Sequence, residues 1–314
     1  MSIARFLDPK NDFAFKQIFG TEKNKDILIH FLNDILGYEG RDQIVSVTFL
    51  KTSQDPDIAV YKQSIVDVLC LDQNGVQIII EMQVSRHKGF EKRAQFYAAK
   101  AYSNQILKSD DQNQGLAVYA KLKGVIFLAI ADFKMFSEDK KWLSQHKILD
   151  NVSYVNQLKD FHFIFMELPK FNNNINQLSN LTEKWAYFFK HAEHSTLEEM
   201  EHLIGQDVII KRAFQAIDQA SWSVEELRSY EHLIKVRLDN LAVEQQNLKD
   251  AKAEGLAEGK AEGLVEGEAK GKAEGKLEIA KAMVAKGFDE KSILEITGLT
   301  IKEVKKYFPD DRKN

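Results

Sequence analysis

A single cysteine, Cys70, stands among 314 residues, so no internal disulfide can form. Its place in a run that reads as a core strand fits a reducing compartment. The N-terminus, Met1-Ser-Ile-Ala-Arg-Phe-Leu-Asp-Pro-Lys10, lacks the apolar stretch of a signal peptide. The longest apolar run, Val125 to Ala131, is far too short to span a bilayer. These absences predict a cytoplasmic protein with no membrane partner. Positive charge is not in excess either. Lysine and arginine number 43 against 47 aspartates and glutamates, a net charge of −4. Any contact with nucleic acid must therefore come from a local basic face. Two glycine-lysine pairs, Gly271-Lys272 and Gly275-Lys276, lack the earlier glycine and the following hydroxyl of a phosphate loop, and the histidines show no His-Glu-x-x-His spacing.

What is present supports a sizeable core with an appendage: 44% of residues are hydrophobic and 10% aromatic. Apolar residues from Phe13 to Ile35 recur at helical spacing, which predicts a first helix over Asp12–Leu36, interrupted near Gly20-Thr21 and stopped by Gly37. Ile44–Leu50 reads as a strand, followed by a turn-rich Gln54-Asp-Pro-Asp57. Phe90–Leu107 reads as a helix carrying Arg93, Tyr97, Lys100 and Asn104 on one face. Strands are expected at Val125–Ile130 and Phe161–Leu168. This order predicts an α/β fold, a mixed sheet flanked by helices, with an all-α extension.

The segment most charged with chemistry is a pair of β-branched runs, Ser64–Leu71 and Val76–Val84, joined through Asn74-Gly75. That junction predicts a hairpin. A three-residue loop, Gln73 to Gly75, pairs Asp72 with Val76 and sets Asp67 opposite Glu81, with Gln83 two residues on along the same face. A four-residue loop instead puts the two acids on opposite faces. Isolated carboxylates at the ends of apolar strands are ligands or paired ions, because burying one unpaired is costly. A divalent metal between Asp67 and Glu81 is the reading favoured over two unrelated acids on a polar face.

Beyond the aromatic-rich helices of residues 178–220, Leu227, Ile234, Leu241 and Leu248 fall seven apart. They form either a coiled-coil seam or an amphipathic helix packed on its own domain. Glycines recur every four residues from Gly255 to Gly275 among glutamate, alanine and lysine. Six of them cost a helix roughly 6 kcal/mol against alanine. The tail has the outline of a helix-turn-helix: Asp289 and Thr300 as caps, Gly287 and Gly298 as breaks, and Lys302, Lys305 and Lys306 on the last helix. The expected domains are a core over 1–175, a helical region over 176–250, a repeat linker over 251–276 and the tail over 277–314.

Five marks in order carry a resemblance: Asp12-Phe-Ala-Phe-Lys-Gln-Ile-Phe-Gly20, Asp67, Glu81-x-Gln83, Arg93-x-x-x-Tyr97 and Glu167-Leu-Pro-Lys-Phe171. With them the chain resembles the PD-(D/E)XK nuclease superfamily, and more closely the Rpn-type recombination-promoting nucleases related to transposases. The glycine-glutamate tail is usual there too. The resemblance implies a restriction-endonuclease-like core and a metal-dependent DNA endonuclease. Asp67 and Glu81 would hold Mg²⁺ (or Mn²⁺), with the Met82 carbonyl as a further ligand. The superfamily usually has lysine where this chain has Gln83, which positions water but carries no charge. Lys16, Arg93 or Lys100 is then the cation to serve instead. Asp12 is a further acid of the site, or the i,i+4 ion-pair partner of Lys16. Arg93 grips a DNA phosphate or holds Glu81; Tyr97 contacts the substrate or fills the core. His87 reads as a surface residue rather than a base. DNA and a second copy of the chain, held through the C-terminal helices, are the expected partners. The competing readings are an inert DNA-binding or regulatory protein on the same fold, and an oligomeric interaction protein.

Overall fold

The computed structural model describes residues 5–51, 53–54, 64–107, 115–136, 141–205 and 207–307. The chain divides into two units, Met1–Val236 and Arg237–Asn314. In the first, Asn11 opens α1 (Asp12–Phe19) by accepting from the Phe13 and Ala14 amides. Phe15, Ile18 and Phe19 of that helix are buried. The expected single helix breaks after Phe19. Thr21 Oγ1 and Asn24 Nδ2 both donate to the Gln17 carbonyl, at 3.0 and 2.8 Å, closing the end of α1. The chain restarts as α2 (Lys25–Leu36), which ends at Gly37 in a left-handed conformation, φ 68°.

The strands follow as β1 (Val47–Phe49), the short pair β2 (Ser53–Gln54) and β3 (Ser64–Ile65), then β4 (Val68–Asp72) and β5 (Gln77–Gln83). The turn expected over Gln54–Asp57 lies, from residue 55 onward, outside the described residues. After α3 (Phe90–Leu107) come β6 (Val125–Ala131), β7 (Leu143–Lys147) and β8 (Phe161–Glu167). The six-stranded sheet runs β1-β4-β5-β6-β8-β7. Its β5–β6 and β6–β8 pairs are parallel and its outer pairs antiparallel, so it is mixed.

Alternation along the strands sends side chains to two cores. On one face Val68, Cys70, Ile78, Ile80, Met82, Leu128 and Ile130 meet α1 and α2. The helices α4 (Leu181–His191), α5 (Leu197–Ile204) and α6 (Val208–Ala216) join the same core, which therefore continues well past residue 175. Its centre is aromatic: Phe19 lies 5.0 Å from Phe31 and 5.7 Å from Phe189, and Phe188 meets Phe214 edge-on at 5.1 Å. Each such ring contributes about 1.5–3 kcal/mol on burial. Trp185, buried among them, donates from Nε1 to Asp34 Oδ2 at 2.8 Å. On the opposite face Leu69, Ile79, Phe127, Ala129 and Phe165 receive α3 through Phe90, Ala94, Ala98 and Ala101. Three alanines at helical spacing let α3 lie close against the strands.

α7 (Val224–Ala285) contributes its first turns to the first unit, where Tyr230 is buried and Leu227 packs on the core. Farther along, Leu238 and Leu248 are exposed. In the second unit α8 (Glu290–Thr297) and α9 (Ile301–Val304) close a small core of Ala280, Met283, Ile293 and Val304. Asp289 caps α8 through the Ser292 amide and Thr300 forms a capping box with Glu303. Among the described residues no helix is long and apolar enough to cross a membrane.

Candidate active site

A local turn decides the site. Asp72 Oδ1 accepts from the Asn74 and Val76 amides, both at 2.8 Å, and Gly75 sits at φ 81°. The Asp72 amide donates to the Val76 carbonyl at 3.0 Å, which makes the loop three residues long. Leu71 then pairs with Gln77 and Val68 with Ile80. The ladder ends there: Asp67 lies in a bend one residue before β4, beside the stretch Glu81–Met82 of β5, and the alternation breaks at it, since Val66 and Val68 lie in opposite cores.

Asp67 is held by both neighbours of the hairpin. Its Oδ2 accepts from the Met82 amide at 2.9 Å, and Lys16 Nζ of α1 stands 3.5 Å from Oδ1. Glu81, on the strand face covered by α3, is 3% exposed. Its Oε2 accepts from Gln83 Nε2 at 2.9 Å, while Oε1 is buried with no hydrogen-bond partner. On β6 the residues paired with Glu81 and Gln83 are Ala129 and Ala131, whose side chains take little room beside them.

The electrostatics follow from burial. Desolvation pushes the Glu81 carboxyl up to about 8, and the Asp67 charge adds to this, against relief from Arg93, Gln83 and Lys16. Asp67 is likewise raised by burial, with the Met82 amide and Lys16 opposing and Asp12 adding. Two acids in an apolar hairpin thus repel each other, with one ammonium at their edge. Arg93 stacks its guanidinium 4.9 Å from the Phe90 ring centre and 5.9 Å from that of Tyr97, and its buried Nε lacks a partner. Burial raises Tyr97 too, and the charges of Arg93 and Glu81 both act on it.

The structure therefore gathers Lys16, Asp67, Glu81, Met82, Gln83 and Arg93, with Asp12 acting on Asp67 by charge and Tyr97 touching Arg93. Lys100 follows on the same face of α3, half-buried. His87 is exposed in the loop before α3. Cys70 is buried, its thiol pushed up to about 12 by desolvation, and so is inert. Sequence reading gave no role to a buried pair at the end of β8. Glu167 Oε1 accepts from Lys170 Nζ at 2.8 Å, and Oε2 accepts from the Met135 and Phe136 amides at 2.6 and 3.3 Å. Its signal was the isolated Glu167 closing an apolar strand three residues before a lysine.

Whether this site suits a divalent cation turns on its donors. It offers hard carboxylate oxygens, one of them buried and unpartnered, converging from adjacent strands, and those residues fit. No group of three or more histidine, cysteine, aspartate or glutamate side chains among the described residues could hold a metal.

The tail, over residues 273–309, matches the C-terminal helix-turn-helix domain of the Rpn/YhgA-like nuclease family. No curated protein and no solved structure matches the chain. Residues 9–247, most of the chain and all of the elements around Asp67 and Glu81, match the family described as PD-(D/E)XK nuclease family transposase. The chain belongs to the PD-(D/E)XK nuclease family of transposases.

Proposed function

We propose that the protein is a Mg²⁺-dependent (or Mn²⁺-dependent) DNA endonuclease that hydrolyses phosphodiester bonds in recombination. The observation that carries this reading is the buried Oε1 of Glu81, which accepts no hydrogen bond, on a carboxyl close enough to Asp67 to be raised by its charge. Asp67 and Glu81 would hold the metal. Because a strand residue's N–H and C=O point to the same side, the Met82 amide bonded to Asp67 supports its carbonyl as a further ligand. The metal, when bound, supplies an acidified water and neutralises charge on the phosphate.

Lys16 takes the place of the cation that Gln83 does not provide. Its ammonium beside Asp67 steadies charge developing on the phosphate oxygens. Gln83 holds Glu81 in position, Arg93 screens its charge, and Asp12 adds a further acceptor at the edge. Tyr97 and Lys100 face the DNA backbone from α3. The helix-turn-helix tail supports DNA as the partner. The exposed Leu238 and Leu248 of α7 support a second copy there. The lone buried thiol supports a cytoplasmic protein.

The test is nicking of supercoiled plasmid with Mg²⁺ or Mn²⁺. Cleavage should vanish in Asp67→Ala, in Glu81→Ala and with chelator. It should fall in Lys16→Met and return in part when Gln83→Lys is added. A second reading has one observation behind it: the Gln83 amide is bound to Glu81 instead of free for a water. If the native protein binds DNA and never cuts, an inert scaffold is the better description.

A further inference from the structure

Beside the carboxylates, the loop between β5 and α3 meets the segment after β6 around a hollow of about 180 Å³. Phe90, Phe133 and Phe136 wall it with Met135, while Arg86 and His87 stand at its mouth with Glu91. Two contacts tie it to the site. The Asp132 amide donates to the Gln83 carbonyl at 2.9 Å, and Phe90 carries the Arg93 guanidinium.

The hollow is built rather than incidental. Phe133 meets Phe90 edge-on at 6.2 Å, and Phe136 meets Phe165 edge-on at 5.5 Å. The backbone carrying Met135 and Phe136 is clamped by Glu167, and Lys170 Nζ also donates to the Phe136 carbonyl at 2.6 Å. The side chains of this ion pair are 1% and 7% exposed. A buried pair is costly to desolvate and adds little net stability. What it secures here is the position of two aromatic-loop residues at the exit of β6.

The surroundings are positive in an acidic chain. Residues 86–92 and 132–136 carry Arg86, Lys88, Lys92 and Lys134 against Glu91 and Asp132, four minus two, or +2. All four cations are exposed. Aromatic walls flanked by cations suit a nucleotide, with a base against the rings and its phosphates toward the lysines. A base inside a duplex is stacked between its neighbours and cannot enter; one out of the stack can.

We propose that the Phe90–Phe133–Phe136 hollow takes one unstacked nucleobase next to the phosphate held at Asp67 and Glu81, so that the substrate is DNA with an unpaired nucleotide at the cut. This rests on the nuclease reading above. Glu91 at the mouth is an acceptor for an exocyclic amine of that base.

The experiment is fluorescence anisotropy of the full chain in chelator, where no cleavage occurs. The probes are a labelled twelve-nucleotide single strand, its duplex, and a set of single strands with one abasic position each. Native protein should prefer the single strand and lose about tenfold in affinity when the abasic position meets the hollow. Phe133→Leu, which keeps the apolar packing but not the ring, should lose about as much with the intact strand and nothing more with the abasic one. Equal affinity for single strand and duplex, or an abasic penalty shared by native and Phe133→Leu, overturns the proposal, as does failure to bind DNA at all. If Phe133→Leu fails to fold by circular dichroism, a flat abasic scan on the native protein overturns it alone. Plasmid nicking is read separately. Nicking with no base dependence sinks this proposal only, and base dependence without Asp67-dependent nicking sinks the nuclease reading only.

Discussion

Replacing Glu81 with glutamine should stabilise the metal-free protein and abolish its response to metal. The substitution keeps the shape and an oxygen for the Gln83 amide, but removes a carboxyl that burial and the Asp67 charge push up to about 8, so that the fold loses stability wherever the unfolded chain ionises it. At pH 6 that costs the native protein about 2 kcal/mol, so the variant should gain roughly that amount without metal. Metal reverses the order. Binding to the folded state alone contributes about 2.7 kcal/mol at a hundred times the dissociation constant. In a domain of this size that raises the melting temperature by about 5–10 °C in the native protein. Thermal unfolding followed by circular dichroism, with and without Mn²⁺, reads both effects. The two curves should cross: the variant is more stable in chelator, the native protein in metal. A variant less stable than native in chelator, or stabilised by metal as much as native, refutes the claim that Glu81 is held ready for a cation.

Other perturbations test the frame around the site. Trp185→Phe keeps the ring packing but loses the bond to Asp34, whose carboxyl burial already raises; the stability read from urea unfolding should fall by about 1–3 kcal/mol, and an unchanged midpoint contradicts this. His162 is held down to about 4 by burial, with Lys147 and His146 adding. The unfolded chain therefore takes up its proton near pH 6.5 and the native state does not, so this contribution is full above pH 6.5 and drains away toward pH 4. His162→Gln should flatten that part of a stability profile between pH 7.5 and 5, and a profile as steep as native would refute it. Gly259→Ala and Gly263→Ala should each strengthen α7 by about 1 kcal/mol, because nothing lies within 4 Å of an added Cβ. A loss of stability on thermal unfolding instead would show that something packs on those glycines.

The hairpin was legible in the sequence because its cause is local. Asp72, Asn74 and Gly75 fix the turn through contacts no more than four residues apart. Helix α3 and the caps Asp289 and Thr300 were legible for the same reason. Other features depend on partners far along the chain. The break after Phe19 is sealed by Asn24 reaching back to Gln17, which spacing alone marked only as an interruption. Lys16 was one of three candidate cations until the fold brought it to Asp67, and nothing within α1 says which acid it meets. Likewise the aromatic run Trp185–Phe189 read as helical, but its union with Phe15, Phe19 and Phe31 in one core is a matter of packing. Glu167 and Lys170 stood in plain view as a motif. Their partners, the amides of Met135 and Phe136, are over 30 residues earlier.

The three-residue turn has a reach beyond its own strands. From Asp72 back to Val68, where β4 begins, is four residues of extended chain, about 13 Å, yet the register that brings Asp67 beside Glu81 is settled at the tip. Side chains alternate along the strand, so one residue gained or lost between Gln73 and Gly75 shifts the phase of one strand against the other. The sheet could re-form with its apolar faces exchanged, while Asp67 and Glu81 would no longer look at each other. Chemistry at this end of the hairpin is thus switched by the count of residues at the other. Within a lineage, a single codon inserted or deleted at an exposed loop tip would retire the site without touching any residue in it.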